Sequence, residues 1–277
     1  MEMTEFLREA LRLSDGDLEF LIEAASPAVK DKSKLKQILI EDEDFRNEFI
    51  GDDKVFRKAM NEQDILVRIS PSLFFQILLR HAAGNLKEVS YTLEKTNTMK
   101  IPVFDTSEVV ELLNQEPFLS YLADMLSSFT KVGSYTISYI GEKGIWRKFR
   151  FNDLDIHSLM RFCEAVNDEH RLGFYKRIAD ICLFILGVFP HYAERDYRYP
   201  FSGEVRPALR GKLRMSPEDY EEQGRRFYKL AAKHQAAGGL ELSPIFWLLH
   251  RNFHQAKKPL NFISDHYLRY MSHKVFL

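Results

Sequence analysis

Between about residues 72 and 151 the sequence prescribes an order of elements that few folds share: helix, short strand, helix, helix, hairpin. The first helix opens at Ser70-Pro71, where serine can cap free N–H groups and proline at the first helical position loses nothing. SLFFQILLRHAAG then runs to Gly84, an expected stop, and Asn85 to Lys95 is expected to form a further helix. Lys100 to Phe104 is a short extended segment, with Pro102 favouring an edge. Thr106 is expected to cap a helix carrying Val109, Val110, Leu112 and Leu113. Glu116-Pro117 starts a second one, with Leu119, Leu122, Met125, Leu126 and Phe129 on its buried side. YTISYIGEKGIWRKFRF alternates and turns between Gly141 and Gly144, which reads as a hairpin. This is the order of a winged-helix module.

The flanking sequence is helical. Leu7, Leu11, Leu18, Leu21 and Ile22 open a series of short amphipathic segments that reaches Met60. After the hairpin, Leu154 to Val166 forms one helix. Arg171 to Phe189 is apolar almost all round, as expected of a central buried helix. Ser216-Pro-Glu-Asp carries a capping box, Gly238-Gly239 ends that helix, and Ser243-Pro244 opens the next. The stretch from Tyr192 to Met215 lacks periodicity and, at about 24 residues, is long for a structureless connection. The expected fold is mainly α: a multi-helix bundle with an embedded winged-helix-like module and one β-hairpin. Its parts are a helical N-terminal region (1–70), the winged-helix-like module (71–152) and a C-terminal helical bundle (153–277), folding together as one unit.

Composition narrows the setting. The 22 phenylalanines can fill a large aromatic core. Cys163 and Cys182 fall in apolar helical contexts, so they read as reduced core thiols of a cytoplasmic protein. The acidic N-terminus has neither the basic start nor the apolar run of a signal peptide. The longest apolar run, Ile181 to Pro190, is too short to span a bilayer, so no membrane is expected. Charge is uneven: residues 1–71 carry a net −6, residues 72–151 a net +1 and residues 152–277 a net +4. An acidic head on a mildly basic body argues against wrapping of nucleic acid by the whole chain and leaves room for local contact.

Two basic stretches are the candidate anion or nucleic-acid sites. In the hairpin, Lys143, Arg147, Lys148 and Arg150 surround Trp146, a wing suited to phosphates. The plainer account is that these cations protect an edge hairpin from pairing. The helix that would enter a groove offers Ser120, Asp124, Ser127, Ser128 and Lys131, which is poor equipment for reading base edges. In the second stretch Arg195, Arg198, Arg206 and Arg210 interleave with Tyr197, Tyr199 and Phe201, able to stack on bases or clamp an anion. A surface loop packing its aromatics inward accounts for the same composition.

Other chemistry is thinly represented. His250 and His254 are four apart, as on one helix face. With His266, and with His273 and Asp265 beside it, they form a weak candidate for zinc or iron, although H-E-x-x-H is absent. Asp180 stands in the apolar run Ile178 to Leu186 and requires a partner, with Arg177 and Arg161 as candidates. There is no G-x-S-x-G, P-loop, G-x-G-x-x-G or C-x-x-C, so no catalytic residue and no cofactor is expected.

The segments DEDFRNEFIGDDKVFRKAM, ILVRISPSLFFQILLRHA, IPVFD, SYLADMLSSFTKV, RIADICLFILGVFP and DYEEQGRRFYKLAA resemble a widespread bacterial family of helical proteins with no established activity. The resemblance covers most of the chain. It implies a bacterial, cytoplasmic protein and transfers no functional residue. The function expected from the sequence is non-enzymatic binding or regulation, with a protein partner first and nucleic acid second. The alternative is an enzyme or ligand carrier with a pocket walled by Phe174, Phe184, Phe189, Trp247 and Phe253.

Overall fold

A computed structural model describes residues 13–89, 91–95, 100–103, 105–131, 134–140, 146–152, 154–190, 192, 215–269, 271 and 275–276; over 134–140 and 146–152 it describes the backbone alone. These residues are mostly helical. They fall into two compact units. The first is Met1–Thr130 with Lys258–Val275, and the second is Lys131–Lys257 with Phe276–Leu277.

The first unit opens with four short helices: α1 (Asp15–Ala25), α2 (Lys32–Glu41), α3 (Glu43–Ile50) and α4 (Asp53–Asn61). Each begins at a capping side chain, because a helix of 8–11 residues leaves a large share of its backbone N–H groups without an internal partner. Ser14 caps α1 in a reciprocal box with Asp17, and Asp31, Asp42 and Asp52 cap the other three. Leu18, Ile22 and Leu39 form a local core, enclosed by Leu13, Val29, Leu35, Phe45 and Phe49.

After the single turn α5 (Ile65–Arg68) comes α6 (Pro71–Glu88), the central helix of this unit. Ser70 caps it, with Pro71 at its start, as the sequence indicates. The helix does not stop at Gly84. Leu86 is buried, and the adjoining turn continues to Glu88. Nor does a further helix reach Lys95. Residues Thr92–Lys95 form strand β1, which pairs antiparallel with β2 (Lys100–Val103), Thr92 opposite Val103. Backbone pairing across the strands outweighs the weak helical signal there.

Helices α7 (Thr106–Leu113) and α8 (Glu116–Ser127) follow, and α8 packs on α6 through Phe118, Leu119, Leu122, Met125 and Leu126, all buried. The residue at the cap of α7 is Asp105 and not Thr106, and its carboxylate makes no capping bond.

The second unit begins with β3 (Ser134–Ile140) and β4 (Trp146–Asn152), paired antiparallel from Ser134 opposite Asn152 to Ile140 opposite Trp146. In a winged helix the strand between the first two helices joins this ladder. Here β2 pairs with β1, and the two ladders are separate two-stranded sheets among the described residues. Next come α9 (Ile156–Ala165), a 3₁₀ turn at Asp168–His170, and α10 (Leu172–Val188), whose Ile178 to Phe184 are all buried. Helix α11 (Pro217–Lys233) starts at the Ser216–Asp219 capping box and packs along α10. After α12 (Gln235–Gly239), the left-handed Glu241 (φ 56°) turns the chain into α13 (Ser243–Arg251). Helix α13 packs on α11. Asn252 ends α13, and α14 (Phe253–His266) contributes its first residues to this unit and Lys258 onward to the first.

Gly224 explains how α10, α11 and α14 fit together. A Cβ built there would lie 2.4 Å from Phe253 Cε2 and 3.0 Å from Cys182 Cβ, so only glycine admits both neighbours. Cys163 and Cys182 are free and buried, and burial raises both thiols, Cys163 to about 11. Neither is disposed to act as a thiolate. Among the described residues no helix is long and apolar enough to cross a membrane.

Candidate functional site

The β3–β4 ladder is where the register adds most to the composition. Alternate residues of a strand fall on opposite faces. One face therefore carries Ser134, Thr136, Ser138 and Ile140 beside Asn152, Arg150, Lys148 and Trp146. The other carries Tyr135, Ile137 and Tyr139 beside Phe151, Phe149 and Arg147. The sequence groups Arg147, Lys148 and Arg150 around Trp146. The pleat keeps Trp146, Lys148 and Arg150 together and sends Arg147 to the aromatic face. Neither SYTISYI nor WRKFRFN contains a carboxylate. Lys143, and the loop residues Arg195, Arg198, Arg206 and Arg210, lie outside the described residues.

Helix α8 is not available as a groove reader. Ser120 is buried, and its Oγ donates to Glu116 Oε1 at 3.0 Å. Asp124 Oδ1 accepts from Ser72 Oγ at 2.6 Å. Glu116, the first residue of α8, holds the Arg80 guanidinium, which also donates to Asn47 Oδ1 at 2.8 Å. Glu116 and Asp124 of this helix tie it to α6.

The candidate metal ligands are not assembled. Asn252 separates α13 from α14, so His250 and His254 sit on different helices and not on one face. His250 Nδ1 lies 2.9 Å from the Arg225 carbonyl oxygen and donates to it. His254 Nδ1 pairs with Glu221 Oε2 at 3.7 Å, and Lys257 donates to the same oxygen. The polar contact of His254, with the Lys257 ammonium beside it, holds the Glu221 carboxyl down at about 2 despite partial burial. His266 packs on Phe262, with ring centroids 4.4 Å apart. Among the described residues no three His, Cys, Asp or Glu side chains form a group able to hold a metal ion. His273 lies outside those residues.

Asp180 is the buried acid its sequence context indicates, but its described partners differ from those expected. Lys176 Nζ donates to Oδ2 at 2.6 Å and the Tyr228 hydroxyl donates to Oδ1 at 2.8 Å. Asp180 and Tyr228 are both fully buried. The Lys176 contact was legible, since residues four apart on a helix are neighbours. Tyr228, 48 residues away, gave no such signal.

The aromatics proposed as pocket walls are distributed over separate contacts. Phe253 fills the space at Gly224 and faces Tyr228 at 6.1 Å; Phe184 meets Phe189 and Phe276; Phe174 stacks on Phe162; Trp247 meets His250. Phe184 and Phe253 are buried, whereas Phe174, Phe189 and Trp247 are half-buried. Sequence reading missed a further ion pair in the first unit, between buried Lys258 and half-buried Asp105. The Lys258 ammonium donates to Asp105, whose other oxygen accepts from Thr92 Oγ1 at 2.8 Å. This engagement occupies the carboxylate that would otherwise cap α7.

The chain matches no family model, and no curated protein or solved structure is significantly similar to it.

Proposed function

We propose that this chain is a non-enzymatic binding or regulatory protein and that the β3–β4 ladder is the element it presents to a partner. The observation that carries the reading is the sorting of the ladder by register. A hydroxyl-rich face bearing Lys148 and Arg150 backs onto a face of Tyr135, Ile137, Tyr139, Phe149 and Phe151. A two-stranded ladder gains independent stability only by laying an apolar face on something else, which leaves the opposite face for recognition. The order α6, β2, α7, α8, β3, β4 supports a winged-helix-like reading of residues 71–152. The pairing of β2 with β1 counts against it. A bacterial, cytoplasmic setting belongs to the same proposal and rests on the resemblance alone.

Site-specific photocrosslinking tests it. A crosslinking residue at Thr136 should give a discrete adduct in cell extract. One at Lys34, on the exposed side of α2, should give none. Equal labelling at both sites would remove the ladder from the proposal. The sequence places a protein partner first and nucleic acid second, and the adduct's sensitivity to nuclease separates them.

A further inference from the structure

We infer that the polar face of the β3–β4 ladder binds single-stranded nucleic acid, with Lys148 and Arg150 on the phosphates and Trp146 stacked on a base. This rests on the binding reading above and names its partner.

Three features of the register point there together. First, every polar residue on this face is of a type that contacts phosphate: Ser134, Thr136, Ser138, Lys148, Arg150 and Asn152. A face evolved only to stay soluble, or to avoid edge pairing, needs charge of either sign, whereas these two strands hold cations and hydroxyls without a carboxylate. Second, the alternation puts Trp146 on the same face as Lys148 and Arg150, two and four residues along β4. A cationic track beside an aromatic platform is the combination that binds single strands with little regard to sequence. Third, the segment around the ladder, residues 131–152, contains five Lys and Arg against one Glu, within a chain whose net charge is −1. Five cations less one carboxylate leave this segment a net +4, the charge complementarity that a polyanion requires. An acidic protein would also be attracted, but it has no use for an aromatic platform in register with the cations. Duplex reading is disfavoured because α8, the helix that would enter a groove, spends Ser120 and Asp124 on internal hydrogen bonds.

The test is fluorescence anisotropy with a labelled, mixed-sequence single-stranded 20-mer, titrated with the full chain at several salt concentrations. Wild type should bind the single strand more tightly than the matching duplex. K148Q/R150Q should weaken binding at least about 10-fold. It should also flatten the dependence of log K on log salt by about 1.4, because each phosphate contact on a single strand contributes about 0.7 to that slope. W146A should lose about 10-fold through lost stacking, and W146F should recover most of it. Arg147, on the other face, provides the internal comparison: R147Q removes the same charge and should change affinity less than about 2-fold. K32A/K34A does the same with two exposed cations of the first unit. Thermal melts of each variant exclude unfolding as the cause of a loss. The inference is overturned if K148Q/R150Q binds like wild type, if R147Q matches one of the two charge removals, or if the duplex binds more tightly. It is also overturned if wild type ignores the oligonucleotide at low salt. In that last case a nuclease-resistant adduct at Thr136 would leave the ladder as a protein-binding element, and its absence would remove both readings.

Discussion

Each of the two units is held together internally in its own way. In the first, several of the polar links sit at helix beginnings. Asp17, in the first turn of α1, accepts from the Ser14 N–H at 2.9 Å and from the Ser70 N–H at 2.7 Å, so one buried carboxylate serves the starts of α1 and α6. Glu116 at the start of α8 holds Arg80, Asp53 at the start of α4 faces His81, and Asp105 before α7 holds Lys258. In the second unit the links sit mid-helix: Asp180 with Tyr228, and Gly224 against Phe253. The difference follows from length. Most helices of the first unit have 8–12 residues, whereas α10 and α11 have 17 each. A short helix has much of its hydrogen-bonding capacity unfilled at its ends, so that is where tertiary contacts form. A long one offers an extended face and is held by what fits against it.

The strongest challenge to this contrast is Asp17→Ala. Two backbone N–H groups, those of Ser14 and Ser70, lose a buried charged acceptor, at a cost of about 3–5 kcal/mol measured by denaturant unfolding. Asp17→Asn, which keeps one acceptor oxygen, should restore roughly half. A loss below about 1 kcal/mol would mean that helix starts do not hold the first unit. Next in size is Tyr228→Phe, which removes a buried donor from Asp180 and should cost about 2 kcal/mol. Hydrogen exchange should increase in α10 and α11, and an equal increase in α1 and α6 would contradict the division. Gly224→Ala comes third. The displaced Phe253 ring opposes the helix-forming gain of alanine, for a net loss of about 1 kcal/mol in a thermal melt.

The smallest effects distinguish the units by pH. Burial holds the His81 imidazole below its ordinary 6.5, so the folded chain keeps it neutral where the unfolded chain is protonated. Its contribution is complete above about pH 6.5 and declines as pH falls below that value, until the folded chain also takes up the proton. Glu221, held at about 2 against an ordinary 4.5, adds stability that is present above pH 4.5 and lost as pH falls from there through 2. Hydrogen exchange against pH should show protection in the first unit easing first, a response that His81→Phe removes. The acid response of α11 should be removed by Glu221→Gln. A single shared transition would show that the units do not respond separately.

How much of this was legible varies with the range of the interaction. Helix starts at Ser70-Pro71 and Ser216-Pro217 are local devices, and the structure has both. Gly84 misleads because a glycine signals a helix end only where the backbone turns left-handed. Here it stays helical, with open space where its side chain would be. The break at Asn252 is likewise hidden, since His250 and His254 have helical spacing whether or not the helix continues. It is Phe253, buried against Gly224 from another helix, that marks where α14 begins. At the ladder, alternation along β4 already groups Trp146 with Lys148 and Arg150. What the sequence does not convey is which residues of β3 lie beside them: Ile140 opposite Trp146, Ser138 opposite Lys148 and Thr136 opposite Arg150. The partners of Asp17, Asp105 and Asp180 are 53, 153 and 48 residues away, beyond what spacing can convey.

The return of residues 258–275 to the first unit has a consequence for synthesis. A ribosome releases Met1–Thr130 long before Lys258, the buried cation that pairs with Asp105. The intervening 127 residues, Lys131–Lys257, take roughly 6–25 s to translate. Throughout that interval the nascent N-terminal portion has its helix starts but lacks its closing segment. The opposite order applies to the other unit, which has nearly all of its sequence before the first is complete. The part of the chain made first is therefore the part that waits longest for most of its closing segment.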